Sequence, residues 1–439
     1  MILIVDTAEE LLGAYVLCDN CLGRQFAMLS HGFTNKARGE AIKNIMILEG
    51  SRLVDEGDRR GRKILGIVAV NGLSNLARET LKTHGIKSDK KSGICYVCSG
   101  TFEFIDEFAK NISEILSEYE YQTFLIGIKI PNEVEEREDE LRARFNIRWG
   151  ESIRNEFSRE VGKKVAEITG RTPDHEKPET TVILNPFTKK ASVESNPLYV
   201  EGRYKKLVRG LSQIRRICSE CSGKGCQVCG WTGKQSSESI EELITLPIMK
   251  KTKGLGGVLH AAGREGLDVR VLGKGRRFIV EIKNPRVRNI DMQPVQNEIN
   301  KEANGRIEVS DLKLSSREGV KRLKEEEGVA RIYSATVEFA RDVTDEELKR
   351  LKECLDNKFI SQTACYQTMR TRKKYLYEVK IKRLKFNVIE MLVQCQGGLS
   401  IRELISGDDG RTSPSVADII DASAKCIQLD VMDVHVEVD

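Results

Sequence analysis

Histidine is scarce in this chain, and long apolar runs are absent from it. Five histidines occur among 439 residues, and none lies at the spacing of a metal-ligand pair, so any metal site is expected to use thiolates alone. No apolar run approaches the roughly 20 residues of a membrane span, so we expect no membrane contact. The chain also lacks a dinucleotide fingerprint and a phosphate-binding loop, which argues against a nucleotide cofactor. Internal repeats are absent as well.

The first residues show no sign of a secretion signal. A basic segment is missing, and Asp6 interrupts the short apolar run, so we expect no signal peptide and a cytoplasmic protein. Twelve cysteines in such a chain favour metal binding over disulfides. The length suits roughly two or three domains with cores of their own, whereas the formal net charge of +5 is a weak guide to partners.

Eight of the cysteines fall into Cys-x-x-Cys pairs, which predicts metal centres. Such a turn places two thiolates on one face of a tetrahedral metal, and two turns complete a closed structural zinc site. For the two pairs that lie far apart in sequence, a redox pair or unpaired thiols are the alternatives. For the two adjacent pairs, an iron–sulfur centre or a chance cluster is possible, and whether they share one metal stays open. The predicted zinc ligands are Cys18, Cys21, Cys95, Cys98, Cys218, Cys221, Cys226 and Cys229.

Three basic blocks in the second half of the chain favour a nucleic-acid partner. Residues 202–216 hold six Lys or Arg and no acid, residues 270–288 hold seven with one Glu, and residues 370–385 hold eight with one Glu. Tyr375 and Tyr377 are interleaved with the last block. Basic side chains mixed with aromatics suit a phosphate backbone and unstacked bases, although a solvated surface has the same composition.

The most informative stretch is Gly263-Arg-Glu-Gly-Leu-Asp-Val-Arg270, which predicts a loop that presents one carboxylate. Residues 269–272 and 278–282 are short, apolar and rich in β-formers, and the glycines at 273 and 275 predict a hairpin turn between them. Asp268 would then lie at the mouth of the hairpin, between two apolar neighbours. A buried acid there needs a partner. The simpler alternative is an aspartate that caps a turn and pairs with Arg270.

Other patterns predict individual elements. A helix over residues 153–168 should end at Gly170, and Thr344 should begin a helix with a capping box. Residues 64–70 and 434–438 read as strands.

The pattern Gly-Arg-Glu-x-x-Asp-Val-Arg, followed by Leu-Gly-x-Gly-Arg, resembles the catalytic motif of the archaeal and eukaryotic tRNA pseudouridine synthase family that acts on the T-loop. That family usually has another aspartate where this chain has Gly266, so Asp268 is the only aspartate of the stretch able to serve. Residues 196–209 and 405–415 are also similar to the family. Residues 150–163 resemble its accessory RNA-binding module, a THUMP-like domain.

The resemblance implies a site assembled from separate stretches. Arg-x-Tyr-x-Ala at residues 331–335 supplies Tyr333, which would stack on the uracil, and Gly-Leu-Ser-Ile-Arg-Glu-Leu at residues 398–404 supplies Arg402 and Leu404. Arg402 would hold Asp268 ionised in a dry pocket, and Leu404 would wall that pocket. Arg264 would fill the gap left by an extruded base or hold a phosphate. Each residue considered alone has a simpler interpretation. Tyr333 would be a core tyrosine, Arg402 would belong to a surface ion pair, and Arg264 would form a salt bridge within the hairpin.

We therefore predict an α+β protein with three parts. A cysteine-rich zinc-binding segment covers residues 1–105, a THUMP-like RNA-binding domain covers residues 106–195, and a catalytic domain with a mixed, largely antiparallel sheet covers residues 196–439. The catalytic domain contains an inserted four-cysteine knuckle at residues 216–234.

The resemblance further implies a function and a setting. The enzyme would isomerise uridine 54 and uridine 55 in the T-loop of tRNA, with structural zinc, no organic cofactor and tRNA as partner, as a monomer in an archaeal cytoplasm. The alternatives are a non-catalytic tRNA-binding protein or another THUMP-type tRNA modifier, such as a thiolating enzyme. Residues 362–373 depart from the family pattern, which puts the detailed tRNA contacts in question.

Overall fold

The structure is a computed structural model that describes residues 4–30, 32–87, 91–235, 238–365 and 369–434. The chain divides into two compact units, Met1–Asn196 and Pro197–Asp439. Both mix helices with a sheet, so the predicted α+β class is confirmed. No helix within the described ranges combines the length and the apolar character needed to cross a bilayer.

The first unit begins with helices and ends with a small sheet. Its helices are α1 (Ile4–Ala14), α2 (Asp19–Arg24), α3 (Asn35–Asp55), α4 (Arg59–Val70), α5 (Asn75–Thr83), α6 (Ile105–Leu116), α7 (Asn132–Arg144) and α8 (Ile153–Thr169). Its strands are β1 (Thr123–Ile128), β2 (Thr172–Pro173), β3 (Thr180–Asn185) and β4 (Lys190–Ser195).

One hydrophobic core runs through this first unit. It extends from Ala8 on α1 to Leu184 on β3, and it includes cysteines of the N-terminal segment. The sheet has the order β2-β1-β3-β4, with β1 parallel to both neighbours and β4 antiparallel to β3. The sequence motifs predict a boundary between residues 1–105 and residues 106–195. In the structure the two segments share one hydrophobic core, because helices of residues 1–105 pack against the helices that flank the sheet.

The second unit is built on a large sheet. Its helices are α9 (Ile240–Thr252), α10 (Met292–Ala303), α11 (Arg317–Glu325), α12 (Asp345–Leu355), α13 (Ile401–Ser406) and α14 (Val416–Ile420). Its strands are β5 (Leu198–Lys206), β6 (Gly256–Ala261), β7 (Arg270–Lys283), β8 (Ile307–Ser315), β9 (Arg331–Phe339), β10 (Lys358–Cys365), β11 (Met369–Lys385), β12 (Val388–Cys395), β13 (Thr412–Ser413) and β14 (Ala424–Val434).

The strand order of this sheet is β13-β10-β11-β12-β9-β14-β7-β5-β8, and β6 pairs with β7. Among the described pairings, only β7 with β14 is parallel, so the predicted mixed, largely antiparallel sheet is confirmed. One hydrophobic cluster packs helices α12 to α14 against β9 to β12 and β14. Another packs α9 and α10 against β5 to β8.

The predicted hairpin at residues 269–282 is wrong, because both halves belong to the single strand β7. Gly273 and Gly275 have left-handed φ values of 56° and 76°, as in a turn, but they form a bulge. Tyr204 of β5 pairs with Arg276 of β7, and Lys206 of β5 pairs with Val271 of β7. Two residues of advance along β5 therefore correspond to five residues along β7, and the extra residues of β7 form the bulge. A Cβ at position 273 would lie 1.8 Å from the Met432 carbonyl oxygen, so only glycine fits.

The other local predictions have mixed outcomes. Helix α8 ends at Gly170 in the left-handed conformation, and α12 begins with the capping box of Thr344 and Glu347, both as predicted. The strand predicted for residues 64–70 is wrong: this segment belongs to α4, which begins after the capping residue Asp58. An apolar β-branched run of this length suits either element. The predicted strand at 434–438 lies, beyond Val434, outside the described residues.

Candidate active site and metal centres

Asp268 lies on the loop of residues 262–269, between β6 and β7. Its Oδ2 atom accepts a hydrogen bond from Nη2 of Arg402, which comes from α13, 134 residues further along the chain. Arg270, the simpler candidate partner, instead pairs with Asp430 at 2.7 Å. The structure thus brings together Asp268 and Arg402.

Asp268 lies in an open site beside its partner, not in the closed, dry pocket expected from the sequence. Its side chain is 59% exposed and that of Arg402 is 46% exposed. The partial burial raises the pKa of Asp268, but the hydrogen bond from Arg402 and the nearby charge of Arg209 lower it more. The pKa therefore lies below the ordinary aspartate value, and the group is a carboxylate at neutral pH.

The main chain around Asp268 is held by basic side chains of β5 and the segment after it. The amino group of Lys206 donates to the carbonyl oxygens of Gly266, at 3.0 Å, and of Leu267, at 2.9 Å. Arg209 donates to the carbonyl oxygen of Asp268 and, at 2.6 Å, to Asp430. Burial lowers the pKa of Lys206. These contacts fix the main chain of the loop on both sides of the carboxylate.

A second acid of the same loop points into the protein. Glu265 forms an ion pair of 3.0 Å with Arg276, and both side chains are buried. The hydroxyl of Tyr204 donates to Glu265 at 2.5 Å, and the amide of Gln213 donates to it at 3.0 Å. Since a buried charge requires partners, this network anchors the loop on the side of Asp268 that faces the core.

Helix α13 carries both Arg402 and Leu404. Leu404 is fully buried in the same hydrophobic cluster as Val269, which orients the helix. Ser400, just before the helix, has no side-chain capping bond. Gln362 compensates, since its amide accepts from the Ser400 N–H at 2.8 Å and donates to the Ser400 carbonyl at 2.9 Å.

Tyr333 lies in the middle of β9 and is 9% exposed. It pairs across the sheet with Val431, which in turn pairs with Val271 of β7. Its side chain belongs to the hydrophobic cluster that also contains Val269 and Leu404. Tyr333 is therefore a residue of the core beside the loop, and no hydrogen bond joins it to Asp268 among the described contacts.

Arg264 is exposed and is not part of the Asp268–Arg402 contact. Within the described residues it has no carboxylate partner, so the predicted alternative of a salt bridge is not observed. Instead it lines a cavity of about 310 Å³ together with Gln213, His260 and Lys324. Arg264 and Lys324 are cationic, so the cavity has the character of an anion site.

The first group of cysteines assembles in the first unit. The sulfur atoms of Cys18, Cys21, Cys95 and Cys98 all lie within 4.8 Å of one another and are largely buried. Sulfur atoms of Cys18 and Cys98 are 3.6 Å apart. The two pairs, 77 residues apart in sequence, therefore form one possible metal centre.

The second group assembles in the second unit, on the knuckle of residues 216–234. The four sulfur atoms of Cys218, Cys221, Cys226 and Cys229 again lie within 4.8 Å of one another, with separations of 3.7, 3.8 and 3.9 Å between neighbours. Burial raises the pKa of Cys229, but main-chain N–H groups donate to its sulfur and lower the pKa to about 6. One metal shared by both pairs fits this arrangement.

Sequence reasoning missed the residues that hold the site together. Lys206, Arg209 and Arg276 were counted in basic blocks typical of RNA contact, yet they bind loop carbonyls or a buried glutamate. Gln362 lies in the stretch that departs from the family pattern. Glu265 gave one available signal, because a second acid in this short loop needs a partner of its own if it is buried.

Known proteins match this chain over nearly its whole length. The description "Pus10, C-terminal" matches residues 199–435, and "Pus10 THUMP domain, archaeal" matches residues 108–185. A Methanocaldococcus jannaschii protein named tRNA pseudouridine synthase Pus10 is 39% identical, over 97% of this chain and 93% of that protein. Proteins of the same name from Methanothrix thermoacetophila and Pyrococcus furiosus are 34% and 32% identical, over 98% and 100% of this chain and 94% and 99% of theirs.

Solved structures give partial matches. One is a Cbf5-Nop10-Gar1 complex, with 12% identity and a TM-score of 0.27 over 42% of each chain. Another is a pseudouridylate synthase, with 10% identity and a TM-score of 0.21 over 55% of this chain and 68% of that one.

The relatives and the family model define the class: the protein is a pseudouridine synthase, an isomerase that acts on uridine in RNA. Within that class, the chain belongs to the Pus10 family. The alternative of a non-catalytic or differently modifying protein is not favoured by these relatives.

Proposed function

We propose that the enzyme converts uridine 54 and uridine 55 in the T-loop of tRNA to pseudouridine, with Asp268 as the catalytic carboxylate. The observation that carries this proposal is the contact between Asp268 and Arg402 on an anchored, solvent-facing loop. Full-length relatives named as tRNA pseudouridine synthases support tRNA as the substrate.

The reaction requires an ionised acid beside the target uridine. The bond between N1 of uracil and the anomeric carbon breaks, the base turns, and C5 forms the new bond to that carbon. C5 then loses a proton and N1 gains one, so no oxidant or group donor is needed. Whether Asp268 bonds to the sugar, bonds to the base or removes a proton, it acts as the carboxylate, and Arg402 keeps it in that form.

RNA itself would complete the pocket. More than half of the Asp268 side chain faces solvent, so docking of the tRNA must exclude water from the carboxylate. A uridine in a folded loop has to leave its stack to reach the enzyme. Arg264, exposed and without a carboxylate partner in the described part of the chain, is suited to occupy the vacated space or to bind a phosphate.

Tyr333 and Leu404 would form the inner boundary of that pocket. Tyr333 would stack on the uracil, with its hydroxyl helping to remove the C5 proton, and Leu404 would be the apolar wall. Their shared cluster with Val269, next to Asp268, supports this assignment. Because Tyr333 is 9% exposed, the uracil would contact only the small part of its side chain that faces solvent.

We further propose one zinc ion at each cysteine group. A tetrahedral zinc at about 2.3 Å from each sulfur has sulfur–sulfur edges of about 3.8 Å, close to the observed 3.6 to 3.9 Å. Both ions would be structural, because all four ligands are protein thiolates and no position is left for substrate. A centre of several irons would spread the thiolates further apart.

Each part of the chain would then have its role. Residues 1–105 would bind zinc, residues 106–195 would bind RNA as a THUMP-like domain, and residues 196–439 would carry the reaction, with the knuckle at 216–234. The family match at residues 108–185 supports the middle assignment. We place the enzyme, as a monomer, in the cytoplasm, where an archaeal tRNA is modified.

Mapping pseudouridine on an unmodified tRNA transcript tests the proposal. The full-length protein should form pseudouridine at positions 54 and 55 and at no other uridine. A transcript with cytidine at both positions is the matched control and should gain none. A protein that binds the transcript without changing it would be a tRNA-binding protein, and the proposal would be wrong.

A further inference from the structure

The knuckle of residues 216–234 carries an exposed apolar tip that the proposed reaction does not use. Trp231 is 75% exposed and Val228 is 79% exposed, and Ile217 is also exposed. Among the described residues, Trp231 makes no aromatic or cation–π contact. Large apolar side chains are normally buried, because their removal from water is favourable. An exposed cluster of them indicates a binding surface.

The cysteine turns hold Trp231 in an uncommon backbone conformation. Its φ is +64°, in the left-handed region that bulky residues rarely adopt. Its N–H donates to the Cys226 carbonyl at 2.8 Å. A Cβ at position 225 would lie 2.8 Å from the Trp231 carbonyl oxygen, so glycine is required there. Strain at an exposed tryptophan suggests that its position has a use.

Cations surround this tip. Residues 215–234 hold four Lys or Arg and one Glu. Lys234 is paired with Glu242. Arg215, Arg216 and Lys224 are exposed, and none of them forms an ion pair in the part of the chain that the structure describes, although the charge of Arg215 acts on Glu242. Exposed cations on the same segment as an exposed indole suit a nucleic-acid strand, which offers phosphates and stackable bases together.

The knuckle is rooted in the loop that carries Asp268. Gln213, shortly before the knuckle, donates to the Gly263 carbonyl at 3.1 Å and to Glu265 at 3.0 Å. Ile214 lines the same cavity as Arg264 and Lys324. RNA bound at the active loop therefore lies beside the base of the knuckle.

We propose that Trp231 stacks on an unpaired base of the tRNA substrate other than the target uridine, while Arg215, Arg216 and Lys224 contact the neighbouring phosphates. The knuckle is then an RNA-binding element, and its metal sets the position of the tryptophan. This inference rests on the proposed function, because it takes tRNA as the ligand.

The chain has two tryptophans, Trp149 and Trp231, so fluorescence can report on one of them. In Trp149→Phe, the emission of Trp231 should be quenched by unmodified tRNA transcript and should saturate as tRNA binds. Trp231→Asn removes the ring and suits a left-handed backbone, and it should raise the Kd for tRNA by on the order of tenfold. Trp231→Phe keeps an aromatic face and should retain most of the affinity. The Kd of Trp149→Phe for tRNA is measured separately, because Trp149 lies in the THUMP-like domain, and the two Trp231 variants are compared with the wild type.

Metal content and pseudouridine formation separate the possible failures. If Trp231→Asn loses its metal, its Kd for tRNA no longer tests the inference, and the quenching of Trp231 emission in Trp149→Phe decides whether Trp231 contacts the tRNA. The inference is overturned if tRNA does not quench the emission of Trp231. It is also overturned if Trp231→Asn keeps its metal and its Kd for tRNA is unchanged, or if Trp231→Phe raises that Kd as much as Trp231→Asn does. An unchanged Kd with loss of a dimer in sedimentation assigns the tip to a second copy of the chain and also overturns it. Wild-type protein that binds tRNA but forms no pseudouridine contradicts the proposed function instead.

Discussion

One arginine accounts for most of the lowering of the Asp268 pKa. Its carboxylate is largely open to water, so solvent exclusion by the protein contributes little, and the contact with Arg402 is the main interaction that lowers its pKa. The remaining contacts act on the main chain: Lys206 and Arg209 fix the carbonyl groups on either side. Orientation and charge are thus supplied by different residues.

Replacing Arg402 should change the pH dependence of the reaction. A lowered pKa keeps Asp268 ionised to a lower pH than an ordinary aspartate, so the wild-type rate should persist as the pH falls towards about 4. In Arg402→Gln the pKa rises, and the acidic limb of the single-turnover rate should move to higher pH. Rates measured with saturating tRNA between about pH 4 and 8 test this.

Arg322→Gln is the matched control for this experiment. Arg322 is an exposed arginine on α11 with no acidic partner within the described ranges. Its replacement should leave the profile unchanged. An acidic limb that is the same in Arg402→Gln and in the wild type would separate Arg402 from the ionisation of Asp268.

At the scale of single residues, the sequence identifies the acid but not its supports. Asp268 stands in a recognisable motif, whereas Lys206 and Arg209 stand in a basic block that looks like an RNA-binding surface. Their partners are about 60 residues away in sequence. A lysine that binds loop carbonyls and a lysine that binds phosphate have the same local composition, so only the fold distinguishes them.

At the scale of elements, the short helix α13 presents Arg402, and its start is held by Gln362. Six residues are too few for a stable isolated helix, so its position comes from tertiary contacts. Leu404 anchors it in the core, and the paired hydrogen bonds of Gln362 with Ser400 replace the missing side-chain cap.

Gln362→Ala should therefore weaken both stability and catalysis. It leaves the part-buried N–H of Ser400 without its acceptor and removes one of two donors to the Ser400 carbonyl, which keeps the Leu404 N–H at 3.0 Å, at a cost of about 1–3 kcal/mol in the free energy of unfolding. Displacement of α13 should also reduce the rate of pseudouridine formation with saturating tRNA, while tRNA affinity stays near that of the wild type. Denaturant titration and single-turnover assays measure these effects.

Gln293→Ala, at an exposed glutamine of α10, is the control and should behave as the wild type. If Gln362→Ala loses stability but keeps its full rate, the helix does not depend on this contact for its catalytic position.

Elements with strong periodic patterns could be predicted, and those containing paired glycines could not. Helix α8 and the capped helix α12 follow directly from apolar spacing and capping residues. The sequence predicts a hairpin in place of the single strand β7, because the left-handed backbone angles of Gly273 and Gly275 suit both a hairpin turn and a bulge. What distinguishes a bulge from a turn is the partner strand: the close approach of Met432 occurs only in the folded sheet.

At the scale of the whole molecule, two groups of four cysteines that could each hold a metal ion stand out, one in each compact unit. The first lies within the core of its unit, and the second lies on an exposed knuckle. The sequence gives the pairs of cysteines, but it cannot show that Cys18 and Cys98 meet, because their contact depends on how the intervening helices pack.

The purified protein should contain two tightly bound zinc ions per chain. Each group offers four thiolates at tetrahedral separations, which is sufficient for one closed site. Replacement of Cys226 and Cys229 by serine should remove one zinc and leave the first unit folded, and replacement of Cys95 and Cys98 should remove the other and unfold the first unit. Metal analysis and circular dichroism measure both. Serine at the exposed Cys354 is the control, and fewer than two zinc ions in the wild type would contradict the assignment.

The most direct test of the account compares the wild type with Asp268→Asn on a tRNA transcript that carries tritium at C5 of its uridines. The amide keeps the size and most of the surface of the carboxylate but has no charge. Tritium release and pseudouridine at positions 54 and 55 should fall at least about a thousandfold, while tRNA binding remains. Release from Asp268→Asn at the wild-type rate would contradict the central claim that this carboxylate carries the reaction.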